Sequence, residues 1–239
     1  MSRKSEYSLY QILDLVRDGN LKEIQRIVSL DNSIIQQQDE NGTTLLMEAS
    51  GSGHFELVKF LVEVGSDVNQ YNLDGEPSLE YAAREEHWEV FEYLFDLTNQ
   101  ELKESCLFQS AICGEPETLN ALIQKQVNVD ACRMKGVWCE NGFTALIAVI
   151  QEGEEGFSEI VETLLDAGAD PNLPEEDTGG TPLIYAAKNG SLETIRLLLK
   201  AGADPNIENT YGKTALVYAK QKGYTEIVQL LLDAGATEE

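Results

Sequence analysis

The sequence predicts an all-α repeat built from pairs of short helices, and three observations predict it. Segments of one length align with each other. "GGTPLIYAAKNGSLETIRLLLKAGADPN" and "YGKTALVYAKQKGYTEIVQLLLDAGA" match without gaps and place Thr181 and Thr214 at the same point, 33 residues apart. Within each segment apolar residues recur at helical spacing, as at Ile195, Leu198 and Leu199. Short polar turns stand between the segments: "DENG", "NLDG", "CENG", "DTGG" and "NTYG". One such unit cannot bury its apolar face alone, whereas stacked units can, so the prediction is a solenoid read as a single domain over residues 1–239.

The units follow in order. A degenerate first unit, "YSLYQILDLVRDGNLKEIQRIVSL", occupies about 7–38 as a cap. Thr44 opens the helices of 39–71, Pro77 those of 72–98 and Ser105 those of 99–131. Thr144 serves 132–172, Thr181 serves 173–206 and Thr214 serves 207–239. Thr44, Thr144, Thr181 and Thr214 stand where an N-cap hydroxyl can accept an orphan backbone N–H. Pro182 follows at the first helical position, where its missing N–H costs nothing. Glycines at 19, 53, 114, 190 and 223 separate the two helices of their units, and Gly202 ends a second helix in "AGADPN". The turn sequences carry hairpin chemistry.

With these units in place the chain resembles the ankyrin repeat, a turn followed by two helices in about 33 residues. The resemblance runs from about Tyr7 to Ala236 and implies helix–turn–helix units joined by β-hairpin fingers. Departures are specific. The family's Thr-Pro-Leu-His has no histidine here; Met47, Glu80, Phe108, Ile147, Ile184 and Val217 stand in its place. "LTNQELKES" has no turn glycine, and the Thr144 unit carries extra residues around "EGEEGF" and in "CRMKGVWC", which lengthens its finger.

Composition narrows the function. Acid outnumbers base 42 to 17, for a formal net charge of −25, and no Lys or Arg occurs from Gly136 to Ala187. Nucleic-acid binding needs clustered basic residues to displace counterions, so it is not expected. No apolar run approaches the roughly 20 residues of a membrane span, and "MSRKSEYSLYQ" has no signal-peptide core, so the reading is a cytoplasmic or other intracellular protein, monomeric, with no membrane partner. The four cysteines do not form a secreted disulfide framework.

Enzyme motifs are missing: no phosphate-cradling G-x-x-x-x-G-K-S/T, no H-E-x-x-H and no G-x-S-x-G. His54 and His87 hold the same position in adjacent units, where packing at a helix terminus is weighed against a metal pair. Glu152, Glu154 and Glu155 read as a solvated loop rather than a catalytic carboxylate pair. Cys106 and Cys113 are too far apart along one helix to bridge. Cys132 and Cys139 lack zinc-pair spacing but could meet across a hairpin. Asn69, Asn172 and Asn206 resemble the context hydroxylated in some ankyrin proteins, against the plainer role of bonding the loop backbone. No catalytic residue, cofactor or metal is expected.

What remains is surface. The resemblance implies protein binding through the finger tips and the exposed side of the first helices. Asp74, Glu76, Arg84 and Glu85 fall there, then Glu140, Gln151 and Glu152, then Asp177, with Lys188, Asn189, Lys213 and Lys222 after them. Interface hot spots favour large aromatic residues, so Trp138, Phe143 and Tyr211 are the expected anchors. Phe55 and Trp88, at matching starts of second helices, form a second aromatic pair. The expected partner is a protein with a basic surface, held by an inhibitor (antitoxin-like) or by an adaptor or chaperone. The alternatives are a metal or redox sensor built on Cys132 and Cys139, or a passive spacer.

Overall fold

The structure, a computed structural model, describes residues 7–132, 142–153 and 157–237. The chain forms two compact units, Met1–Cys106 and Leu107–Glu239.

In the first unit, α1 (Leu9–Arg17) and α2 (Leu21–Leu30) are followed by a 3-10 turn at Asn32–Gln36. Two helix pairs come next: α3 (Leu45–Gly51) with α4 (Phe55–Glu63), and α5 (Ser78–Arg84) with α6 (Trp88–Leu97). Ser8 and Gln11 cap α1 reciprocally: the Ser8 hydroxyl accepts from the Gln11 N–H, and the Gln11 side chain accepts from the Ser8 N–H at 2.9 Å. First helices pack on first helices, α1 on α3 and α3 on α5, while α4 packs on α6. Each second helix buries a stripe one turn deep: Leu57, Val58 and Leu61 in α4, and Val90, Phe91 and Leu94 in α6. Each such side chain contributes about 1.5–3 kcal/mol, so the stack rather than helix propensity holds these seven- to ten-residue helices.

Helix α7 (Gln100–Cys113) carries the boundary between the two units. It starts well upstream of Ser105. Without a turn glycine, the chain begins helix after Asn99, whose side chain accepts from the Leu102 N–H at 2.9 Å.

The second unit continues with α8 (Pro116–Gln124), then the pairs α9 (Ala145–Glu152) and α10 (Ser158–Asp166), α11 (Pro182–Asn189) and α12 (Leu192–Lys200), and α13 (Ala215–Lys222) and α14 (Thr225–Asp233). Again α9 packs on α11 and α11 on α13, with α10 on α12 and α12 on α14. The four expected threonine caps form. Thr44, Thr144, Thr181 and Thr214 accept from the N–H of Met47, Ile147, Ile184 and Val217 at 3.2–3.4 Å.

The expected β-hairpin fingers are a correction. Among the described residues the chain has no strand, only two isolated antiparallel bridges, Gln38 with Thr44 and Tyr71 with Pro77. The reason is where the turn N–H groups go. Asp39 accepts from the N–H of Asn41 and Thr43, Asn72 from those of Asp74 and Glu76, and Asn209 from those of Tyr211 and Lys213, all at 2.8–3.1 Å. A side chain at the turn's start thus takes the donors that a cross-strand ladder would need. One backbone bond stacks neighbouring turns, Leu73 N–H on the Asn41 carbonyl at 2.9 Å and Thr210 N–H on that of Thr178 at 2.8 Å.

Among the described residues, two that are not glycine take the left-handed conformation, Glu86 (φ 58°) and Gln126 (φ 60°). They stand where other repeats carry Gly53 (φ 72°) and Gly65 (φ 104°), so the backbone path survives loss of the glycine at a cost of order 1 kcal/mol each.

Candidate functional site

The turn and the first helix behind it form one polar assembly in each repeat. In the Pro77 repeat, Asn72 uses its oxygen on the turn N–H groups and its amide nitrogen on Glu76 and on the Tyr81 hydroxyl, both at 2.9 Å. Arg84 lies over the Tyr81 ring, 5.1 Å from its centroid, and donates to the Glu76 carboxylate at 2.6 Å. The guanidinium is therefore closed off by a carboxylate of its own turn. Asp74 and Glu85 are exposed beside it.

The C-terminal repeats reuse the tyrosine and change what surrounds it. Tyr81, Tyr185 and Tyr218 are each the fourth residue of a first helix, and Arg84 and Lys188 are each the seventh. Lys188 Nζ sits between two rings, 4.6 Å from the Tyr185 centroid and 4.8 Å from that of Tyr218. Lys213 Nζ reaches the Tyr218 ring at 5.4 Å, and the Tyr218 hydroxyl accepts from the Asn209 amide at 3.0 Å. Neither ammonium has a carboxylate or a hydrogen-bond acceptor among the described residues. The position equivalent to Glu76, just before the N-cap, is Gly180, where an added Cβ would lie 2.7 Å from the Tyr185 ring. The neighbouring carboxylate, Glu175, is engaged by its turn. Burial alone would raise its pKa. The donors it accepts from, the Thr178 hydroxyl and the N–H groups of Gly180, Asp177 and Thr178, outweigh burial and leave it lowered. Burial, then the charge of Glu175, pushes the Tyr185 phenol up.

The expected anchors separate. Trp138 and Glu140 lie outside the described residues. Phe143 is 9 % exposed, its ring edge-on to Tyr185 at 5.7 Å. Tyr211 is 68 % exposed at its turn. Gln151, Glu152 and Asp177 are exposed, whereas Glu76 is half-buried and paired with Arg84. The Tyr–x–x–Arg/Lys spacing in two first helices was the signal for the aromatic–cation sites, and position-by-position comparison of the repeats would have found it.

Other candidate groups have structural partners. The His54 ring nitrogen meets the Arg17 carbonyl at 2.8 Å and His87 meets that of Gly51 at 3.1 Å, so each ring ties its repeat to the one before. Asn172 accepts from the Asp204 N–H at 2.7 Å and donates to the Gly202 carbonyl at 3.1 Å; Asn206 does the same with Thr237 and Gly235. Asn69 accepts from the Asn99 N–H at 2.8 Å. Asp130 holds the same position in its repeat. Its carboxylate accepts from the Asp170 N–H at 3.0 Å, and burial, against that bond, raises its pKa with help from the Asp170 charge.

Cys106 is buried and Cys113 exposed on α7. Cys132 is half-buried; burial and then the charges of Glu176 and Asp130 push its thiol up, which opposes the thiolate a redox or metal site needs. Its proposed mate Cys139 lies outside the described residues. Among the described residues no three His, Cys, Asp or Glu side chains group as metal ligands, and no helix is long and apolar enough to cross a membrane.

A family model described as ankyrin repeats (3 copies) matches residues 12–102, 95–175 and 154–238. The chain belongs to the ankyrin-repeat family. Relatives include a probable E3 ubiquitin-protein ligase of Oryza sativa subsp. japonica, XBOS33, 32 % identical over 85 residues, or 35 % of this chain and 16 % of the ligase. Protein phosphatase 1 regulatory subunit 27 of Mus musculus is 31 % identical over 85 residues, 36 % of this chain and 55 % of that protein. The chain thus matches about one sixth of the length of the ligase relative. Among solved structures, the ankyrin repeat domain of Bcl-3 superposes with a TM-score of 0.75 at 20 % identity over 95 % of this chain and 100 % of that one. The human ASB11 ankyrin repeat domain gives 0.64 at 24 % identity over 95 % and 99 %. These likenesses fix the ankyrin fold.

Proposed function

We propose that the chain is a protein-binding module whose turns and first helices dock a protein with a basic surface. The observation that carries this is that each unit exposes acidic side chains at its turns and first helices, Asp74 and Glu85 in the first and Glu152 and Asp177 in the second, in a chain of net charge −25, with Tyr211 exposed at a turn of the second. The ordered turns support it: their backbone donors are already bound to Asp39, Asn72, Glu175 and Asn209, so the exposed side chains stand on a preorganised frame. Relatives named as a regulatory subunit and as ligases are in keeping with a module that acts by holding another protein, as inhibitor or adaptor. The raised Cys132 thiol counts against a redox sensor.

The test is kinetic. A partner captured from the native source at low salt is identified and its association measured against wild type and the variant D74K/E85K/D177K. Opposite charge raises association rates by roughly 10 to 1,000-fold and salt screens it, so the rate falls with salt and falls about tenfold in the variant. A rate indifferent to both salt and charge reversal rejects the basic partner.

A further inference from the structure

The first-helix face of α11 and α13 holds a cation that has no carboxylate partner among the described residues. Among the described residues Arg17, Arg26, Lys59, Arg84, Arg196 and Lys200 have carboxylate partners within 4 Å. Lys188 and Lys213 have none among the described residues; Lys188 is held in place by two tyrosine rings and Lys213 lies on the Tyr218 ring. Comparison with Arg84 shows what is missing. The same helical position over the same tyrosine is there completed by a carboxylate, Glu76, at 2.6 Å. In the Lys188 repeat Gly180 replaces that residue, and Tyr185 leaves no room for a Cβ.

We infer that Lys188 and Lys213, with Tyr185, Tyr218 and the exposed Tyr211, form a docking site for an acidic peptide segment of a protein partner. Its carboxylates take the place that Glu76 fills for Arg84, and its side-chain stems lie on the tyrosine rings. An amide oxygen can accept from an ammonium as a carboxylate does, but the bond to the charged carboxylate is about twice as strong, so the site favours carboxylates over neutral amides. The rings fix the Lys188 ammonium before binding, which lowers the ordering cost of each pair. The site adjoins one of the acidic positions proposed to meet a basic surface, because the Asp177 charge acts on the Tyr185 phenol. Both signs side by side would set the orientation of a partner that itself carries both.

A fluorescein-labelled hexaglutamate peptide, titrated into the full chain by anisotropy at low ionic strength, tests this. Hexaglutamine and hexalysine peptides serve as controls. Wild type binds hexaglutamate saturably and hexaglutamine not at all. K188Q/K213Q weakens hexaglutamate binding about tenfold while its melting temperature drops by only about 2–4 °C. K188R/K213R, which keeps both charges, retains binding. Lack of hexaglutamate binding by wild type overturns the inference. So does binding that survives K188Q/K213Q, or a loss shared equally by K188R/K213R. Hexalysine reports the acidic positions independently: its failure to bind would count against the basic-surface partner and leave this site standing.

Discussion

Arg84 and Lys188 hold the same helical position in two repeats, one in each compact unit, and meet opposite ends. Both lie over the tyrosine three residues earlier, at 5.1 and 4.6 Å. Arg84 is completed by Glu76; Lys188 finds a second ring and no carboxylate among the described residues. A single residue, the one before the helix N-cap, decides between them. Glutamate there closes the cation into the framework; glycine there leaves it open. Within a repeat fold the scaffold is fixed by caps, turns and stripes, so such positions are free to divide structure from recognition.

The largest effect is expected from opening the closed site. Glu76→Ala removes the charged bond to Arg84 and the bond from Asn72, and hydrogen bonds to charged groups are worth about 1.5–3 kcal/mol. The denaturation midpoint should drop by an amount equivalent to about 2 kcal/mol; an unchanged midpoint would show that the pair is ornamental. Gly180→Ala asks whether the open site is open by necessity. Its Cβ meets the Tyr185 ring at 2.7 Å, so overpacking should cost about 1–2 kcal/mol, and a circular-dichroism melt reads it.

Asp130→Asn sharpens the comparison along the other row of repeats. The new amide can donate to the Gly168 carbonyl, as Asn172 and Asn206 donate to Gly202 and Gly235, which should stabilise by about 1 kcal/mol. The pH sign follows from the raised carboxyl. The folded state holds the Asp130 proton more tightly than the unfolded chain does, so wild-type stability from this group is present at low pH and is lost as pH rises from the ordinary carboxylate range through the folded pKa. The advantage of the variant should therefore grow across that window and level off above it; an advantage that shrinks with rising pH contradicts the assignment. The smallest effect belongs to Lys188→Gln, about 0.5 kcal/mol for a partly exposed cation over aromatic rings. A loss as large as that of Glu76→Ala would make Lys188 a structural residue rather than a recognition residue.

Much of the fold could be read from the residues. The 33-residue step, the four threonine caps and the glycines between helices correspond to local rules that the structure obeys. The turns were legible as turns, but the β-hairpins expected around them do not form, because the choice between a ladder and a side-chain cap depends on where Asp39, Asn72 and Asn209 point their oxygens. The early start of α7 at Gln100 and the left-handed Glu86 and Gln126 escaped for a related reason: without the marker glycine, neighbouring helices set the backbone path. For the site, exposure was the hidden variable. Phe143 and Tyr211 look alike as aromatic turn residues, yet one is buried against Tyr185 and the other stands in solvent. The open cation was visible only as a spacing, and its lack of a partner needed coordinates.

The central contrast is tested most directly by observing the lysines themselves. With every lysine carrying 13C-dimethyl groups, a titration with hexaglutamate can be followed in the carbon–proton spectrum. The account predicts that the Lys188 and Lys213 resonances move together and saturate, while ion-paired Lys59 and Lys200 stay in place. Equal small drifts of all lysines, or none at Lys188, would contradict it.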